Sequence, residues 1–227
     1  DLHDPFLMKD MDKAVRRVDE AVSRGEKIMV YGDYDVDGTT AVALVYTFLR
    51  QIGVNDMLFY IPDRYTEGYG ISKLGVDYAK RNGVGLIIAL DCGIKAVEKV
   101  DYANGLGIDF IICDHHLPGD QIPNAVAVLD PKRPDDNYPF DELSGCGVGF
   151  KLVQGYSLMK GIPFENIANL LDLVAVSTAA DIVPLIGENR ILAHYGVKQL
   201  HEHTRKGLQS IIKIRGLQGP NNTNAPT

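Results

Sequence analysis

Several features that would assign this chain to a particular class are missing or scarce. Its three cysteines, Cys92, Cys113 and Cys146, are widely spaced and odd in number, which fits neither a disulfide framework nor a zinc knuckle. They read as small buried residues in a reducing compartment, the cytoplasm. No apolar run reaches the length of a bilayer and no secretory leader opens the chain, so no membrane association is expected. Internal repeats, heptads and low-complexity tracts are missing up to the Gly/Pro/Asn/Thr-rich end at 216–227. Positive charge is also short, with 23 Lys and Arg against 30 Asp and Glu and a net charge of −7. That balance argues against a uniformly basic nucleic-acid binder. It leaves room for one whose acids gather around divalent cations. Asn221-Asn222-Thr223 is a sequon without a leader and is read as chance. A start on Asp1 rather than methionine fits an excised domain.

What is present fits a globular α/β protein. Its 227 residues are 45% hydrophobic and 23% charged, enough for one large core. Five short apolar runs are predicted as strands: Lys27–Tyr31, Met57–Ile61, Leu86–Leu90, Phe110–Cys113 and Ala125–Leu129. Helical spacing separates them at Asp10–Ser23, Thr39–Gln51 (capped by Thr39 or Asp37), Ser72–Arg81 and Lys95–Asn104. The alternation predicts a five-stranded, mostly parallel, doubly wound sheet with flanking helices over about 27–140. A helical part follows over about 145–212, with helices at Gly147–Lys160, Phe164–Ala179, Glu188–His203 and Leu208–Ile214. Residues 213–227 read as a linker or frayed end.

The stretch Gly32-Asp33-Tyr34-Asp35-Val36-Asp37-Gly38 organises the rest. Its carboxylates stand at every second position after a strand, so an extended backbone points Asp33, Asp35 and Asp37 to one side. Like charges so placed need a cation among them. Two further strands run directly into Asp91 and into Asp114-His115-His116. In an open parallel sheet those ends share the ligand-binding edge, so the three groups converge. Carboxylates with imidazole and no thiolate favour Mn²⁺ or Mg²⁺. The number of candidate ligands suits two ions, which points to phosphoester or phosphoanhydride hydrolysis.

Other residues are weaker candidates. Gly145 and Gly147, in Ser144-Gly145-Cys146-Gly147-Val148-Gly149 ahead of a helix, suit either backbone approach to a phosphate or close helix–sheet packing. Arg64 and Arg133 lie in loops after strand ends, as phosphate ligands or as surface arginines. Asp181 is an acid at a helix C-terminus, where a metal or a local hydrogen bond would relieve it. His3, His194, His201 and His203 read as surface or packing residues. Tyr34 and Tyr69 suit packing better than base stacking.

These motifs, Gly32–Gly38, Leu90-Asp91-Cys92-Gly93, Asp114-His115-His116 and Ala180-Asp181, resemble those of the DHH phosphoesterase superfamily. The stretches Leu2–Met11, Arg64–Gly70, Leu143–Leu152, Val183-Pro184-Leu185 and Gly187–Arg190 narrow the resemblance to its RecJ exonuclease branch, over residues 1 to about 212. The resemblance implies a 5′→3′ exonuclease that releases 5′-mononucleotides from single-stranded DNA in repair and recombination. A monomer working with single-strand-binding protein is implied too. The alternative within the superfamily is a phosphatase or phosphodiesterase of short oligonucleotides, cyclic dinucleotides or pyrophosphate. Asp33, Asp35 and Asp91 are implied around one metal, and Asp37, Asp91, His115 and Asp181 around the other, with Asp91 bridging. Asp114 would orient the histidines or approach a metal. His116 would face the scissile phosphate, and Arg64 the terminal 5′ phosphate. Pyrophosphatases of the superfamily carry histidine where Tyr31 stands, which favours the nuclease branch. The branch also has a DHH-associated C-terminal domain and an oligonucleotide-binding fold beyond the linker, so weak processivity is expected of residues 1–227 alone.

Overall fold

A computed structural model describes residues 1–214; the sequon and most of the expected linker lie outside the described residues. After a short 3₁₀ turn at Pro5–Leu7, the chain runs α1 (Met11–Arg24), β1 (Ile28–Gly32), α2 (Val36–Gln51), β2 (Met57–Tyr60) and α3 (Lys73–Arg81). It continues with β3 (Leu86–Leu90), α4 (Val97–Gly105), β4 (Asp109–Cys113) and β5 (Ala127–Leu129). The helical part comprises α5 (Gly145–Lys160), α6 (Glu165–Ala168), α7 (Leu171–Ala180), α8 (Gly187–Glu202) and α9 (Lys206–Ile214). No helix among the described residues is long and apolar enough to cross a membrane.

The sheet is wholly parallel in the order β2-β1-β3-β4-β5. β1, β3, β4 and β5 bury both faces, which is why their sequences are continuous apolar runs rather than alternating ones, whereas the edge strand β2 leaves Phe59 exposed. Ile28, Val30, Leu86, Ile88, Leu90 and Ile111 face a core shared with α1, α2, α5 and α7. Met29, Tyr31, Ile87, Ala89, Phe110 and Ile112 face a second core under α3 and α4. Each of the Val, Leu, Ile, Phe and Met side chains among them stabilises the fold by roughly 1.5–3 kcal/mol through removal from water.

Three expectations change. First, α2 starts at Val36, three residues earlier than the apolar spacing suggests. Asp35 is its cap, with Oδ1 accepting from the Gly38 N–H at 2.9 Å. Extension therefore ends at Asp35, and Asp37 reaches the site from the first helical turn. Second, the expected helix Phe164–Ala179 is broken between α6 and α7, where the Asn169 carbonyl turns outward to accept from Arg205 at 2.5 Å. Third, α5 begins at Gly145, because the Ser144 hydroxyl caps it by accepting from Gly147 N–H at 3.1 Å.

A buried ion pair fastens the helical part to the N-terminal segment. Lys151 on α5 lies 3.1 Å from Glu188 on α8, both essentially inaccessible. The Lys151 ammonium also donates to the His3 carbonyl (2.7 Å), and Glu188 accepts from the His3 N–H (2.9 Å) and the Tyr138 hydroxyl (2.5 Å). Burial lowers the Lys151 pKa, against the opposing pull of Glu188.

Candidate metal centre

Strand order and register bring the acidic groups together. β1, β3 and β4 are neighbours, and Gly32 pairs with Leu90, which pairs with Cys113. The next residue on each strand is Asp33, Asp91 and Asp114, so three carboxylates stand in rank along one edge. That edge lies where the winding reverses between β1 and β3, the usual ligand crevice of such sheets.

Asp91 is the central acid. It is buried and holds a left-handed backbone with φ 58°, a conformation Asp tolerates better than most residues. Gly145 packs directly against it, and a Cβ there would lie 2.5 Å from the Asp91 Cβ. Neither Asp91 carboxylate oxygen has a hydrogen-bond partner, and the same is true of Asp33 Oδ2 and both ring nitrogens of His115. His115 Nε2 nevertheless lies 3.1 Å from Asp91 Oδ1, 3.6 Å from Asp37 Oδ2 and 3.7 Å from Asp181 Oδ2. The near contact with Asp91 is close in distance but too bent to be a hydrogen bond. Burial lowers the His115 pKa, opposed by Asp37.

Donor atoms thus converge without bonding one another. Two groups are tight enough to grip one ion each: Asp91, His115 and His116, and Asp37, His115 and Asp181. The residue common to both is His115, not Asp91, and neither group includes Asp33 or Asp35. Asp35 is exposed at the helix cap, yet its charge is among those acting on Asp91. Burial, with the charges of Asp37, Asp35, Asp114 and Asp181, pushes the Asp91 carboxyl up to about 11. Burial likewise raises Asp33 and Asp181. A carboxylate cluster so unfavourable by itself, with buried orphan oxygens and a neutral imidazole, fits a hard divalent cation. The cysteines do not compete, since all three are buried and unpaired.

Asp114 has a different task. Its Oδ1 accepts from the His115 N–H (2.8 Å) and from His116 Nδ1 (2.7 Å), and its Oδ2 from the Ile94 N–H (2.9 Å). Both oxygens are committed, so it orients His116 rather than facing the cluster. Burial would raise its pKa, but the hydrogen bond and charge of His116 outweigh that and hold it low. The same hydrogen bond raises His116. The Tyr69 hydroxyl stands 3.2 Å from His116 Nε2 and 3.2 Å from the Asp91 carbonyl. Tyr31, at the position of the pyrophosphatase histidine, is in the core. Its hydroxyl ties Gly70 and Ser72, and the Gly70 N–H in turn donates to Asp33 at 3.3 Å.

Two expected phosphate ligands are otherwise engaged. The anion at the start of α5 is Asp37 itself, whose oxygens accept from the N–H groups of Gly145 and Cys146, each at 2.7 Å. The Gly147 N–H is turned to Ser144. Arg133 is buried, its guanidinium held by Asp10 (2.9 Å), Asp135 (3.0 Å) and the Val128 carbonyl (2.7 Å). It is therefore neither a surface arginine nor a free phosphate ligand. Arg64 is exposed over the Tyr34 ring, 5.3 Å from its centroid. His194, His201 and His203 are exposed, and His3 packs edge-on to Tyr138.

Two contributors escape a reading of the sequence. Ser177 donates to Asp37 at 2.7 Å and shares a 2.6 Å hydrogen bond with Ser144; a lone serine in an apolar helix is its signal. Asp130 follows Leu129, which pairs with Cys113, so it is the fourth aspartate of the rank. It is inaccessible, its Oδ2 has no partner, and burial pushes it up to about 7. Raised above its unfolded value of about 3.9, such a carboxyl stabilises the fold fully below that pH. The stabilisation is lost as pH rises toward 7. Asp130→Asn is therefore expected to flatten the decline in thermal stability across this window, by up to about 1.4 kcal/mol per pH unit. Superimposable wild-type and variant melting profiles from pH 4 to 7 would refute this.

Comparison with known proteins gives a consistent family. The profile of the DHH family, N-terminal domain, matches residues 27–178. The single-stranded-DNA-specific exonuclease RecJ of Bacillus subtilis is 45% identical over 95% of this chain and 27% of its own length. Its counterpart in Escherichia coli is 38% identical over 91% of this chain and 38% of its own length. The chain thus spans well under half of these relatives. Among solved structures, exonuclease RecJ bound to manganese superposes with a TM-score of 0.83 at 32% identity, covering 92% of this chain and 52% of that one. RecJ of Thermus thermophilus in complex with Mn²⁺ gives 0.79 at 29% identity, over 93% of this chain and 30% of that one. With the acids in rank and the family profile covering the sheet and every member of the centre except Asp181, the chain belongs to the DHH family and carries its N-terminal domain.

Proposed function

We propose that this chain is the catalytic unit of a metal-dependent 5′→3′ exonuclease acting on single-stranded DNA and releasing 5′-mononucleotides. The observation that carries the reading is the convergence of buried, unpartnered carboxylate and imidazole atoms that follow β1, β3 and β4, with the exposed Asp181 at the end of α7 close enough to join them. Supporting it, similar chains are named single-stranded-DNA-specific exonucleases, and two similar structures hold Mn²⁺.

In this reading Asp37, His115 and Asp181 would hold one Mn²⁺ or Mg²⁺. Asp33, Asp35 and Asp91 would hold the other. When bound, such a pair supplies a more acidic water and neutralises phosphoryl charge. The remaining work falls to the chain. Asp114 fixes the His116 ring through Nδ1, so that Nε2 carries a proton toward the leaving oxygen. Tyr69 limits the position of that ring, and Arg64 offers a bidentate hold on a terminal phosphate. Residues 1–212 form the catalytic unit, with the chain from 213 leading to a DHH-associated domain; the greater length of the relatives supports this division. A cytoplasmic monomer that works with single-strand-binding protein belongs to the same reading, and the three buried free cysteines suit that compartment.

The test uses 5′-phosphorylated single-stranded oligonucleotides, duplexes and pyrophosphate in the presence of Mn²⁺. Mononucleotides are expected from single strands only, with a steep loss of binding as salt rises, reflecting several phosphate contacts. Preferential hydrolysis of pyrophosphate, with a shallow salt dependence, would overturn the reading.

A further inference from the structure

A serine or threonine inside a helix commonly returns its hydroxyl proton to the carbonyl one turn back, as Thr178 does to Val174 at 2.7 Å. Its neighbour on α7, Ser177, does not. Ser177 is inaccessible to solvent, and its hydroxyl donates across the fold to Asp37 Oδ1 at 2.7 Å. A hydroxyl has a single proton, so the 2.6 Å hydrogen bond between the two buried serines is donated by Ser144. Ser144 in turn accepts from the Gly147 N–H at 3.1 Å, the bond that caps α5. The hydrogen bonds therefore run one way, from the helix amide through Ser144 and Ser177 to the carboxylate.

This chain decides which part of Asp37 stays open. Each oxygen of an ionised carboxylate has two lone-pair positions. On Oδ1 both are filled, by the Ser177 hydroxyl and by the Cys146 N–H at 2.7 Å. On Oδ2 only one is filled, by the Gly145 N–H at 2.7 Å. The position left over belongs to the oxygen that lies 3.6 Å from His115 Nε2. Asp91 is the contrast, since neither of its oxygens has a hydrogen-bond partner. Ser177 also holds the other acid of the group, because its backbone carbonyl accepts from the Asp181 N–H at 2.9 Å.

We propose that Ser177, aimed by Ser144, is a positioning residue that limits Asp37 to one oxygen toward a cation and so selects which divalent cation Asp37, His115 and Asp181 accept. The inference rests on the proposed metal centre. Mg²⁺ and Mn²⁺ suit octahedral sets of single oxygens, whereas Ca²⁺ takes about 6–8 oxygens and readily both from one carboxylate. A carboxylate with one oxygen closed withholds that second contact, and the group disfavours Ca²⁺.

Calorimetric titration of the metal-free full chain with Mn²⁺ and with Ca²⁺ tests this without turnover. Asp181→Asn marks the relevant site as the one whose binding it weakens. Ser177→Ala is expected to weaken Mn²⁺ there about tenfold or more, the usual effect of losing a group that orients a metal ligand. Ca²⁺ should bind as well as before or more tightly, so the ratio of affinities moves at least about tenfold toward Ca²⁺. His115 is present in both proteins, and its own preference cancels in that ratio. Ser177→Thr keeps the hydroxyl and should restore the wild-type ratio. Ser144→Ala should shift it the same way by a smaller factor, and it reads the chain if Ser177→Ala does not fold. A general loosening of the site would weaken both ions alike, so an unchanged ratio in the alanine variants would overturn the proposal. The two readings fail separately. If Asp181→Asn leaves cation binding untouched, the metal centre fails and this inference with it. If Asp181→Asn weakens binding while Ser177→Ala leaves the ratio in place, the serine inference alone fails.

Discussion

Asp91→Asn is expected to eliminate Mn²⁺-dependent stabilisation and to lower hydrolysis more than about 100-fold. Loss of a group that merely orients a metal ligand already costs about 10–100-fold, and Asp91 stands among the candidate ligands themselves. Asparagine keeps the shape and tolerates the left-handed backbone at φ 58°, so the change is one of charge. Stability should move the opposite way. Burial and the surrounding carboxylates raise Asp91 to about 11 in the folded chain, against about 3.9 unfolded. The folded chain thus keeps a proton that the unfolded chain releases. Its contribution is complete below pH 4 and declines as pH rises toward 11, at most about 1.4 kcal/mol per unit. In a chelator, the variant should lose less stability than the wild type between pH 5 and 9. Binding of a divalent cation must also displace that proton, so affinity should increase with pH. Thermal unfolding across pH, with chelator and with Mn²⁺, checks each point. Parallel profiles for the two proteins would remove Asp91 from the centre.

Lys151→Met should destabilise the chain by about 3–5 kcal/mol, the usual cost of leaving one buried charge without its partner. Glu188 would then keep only the His3 N–H and the Tyr138 hydroxyl as donors. A double replacement, Lys151→Met with Glu188→Gln, should recover much of that loss because no buried charge is stranded. Denaturant unfolding of the two variants distinguishes a charge effect from a packing effect. If the double variant is no more stable than the single one, packing around the methionine is the cause.

The strands are legible in the sequence because a parallel sheet buries both faces, and five short apolar runs, each closed by turn residues, suit little else. Asp33, Asp91 and Asp114 can be placed on one edge for the same reason. Asp181 stands out because its charge conflicts with a helix C-terminus. Pairing across the fold is not legible. Nothing local says that the Gly145 N–H is used by Asp37, which lies more than a hundred residues earlier in the chain. Nor does it say that Arg133 returns to Asp10. Lys151 sits in an apolar helix, and only the later approach of α8 gives it Glu188. Apolar spacing places the start of α2 too late because it takes no account of the cap chemistry of Asp35. Asp130 obeys the rule that places its three neighbours, but Pro131 gives it the look of a turn residue.

The grip of Asp37 on the first amides of α5 has a consequence for how the two halves of the molecule are joined. The carboxylate that would answer to an arriving cation is also the clasp on a sixteen-residue rod. The same pair of oxygens thus serves two elements at once, facing the crevice at the sheet edge and holding the amino end of the helix in place.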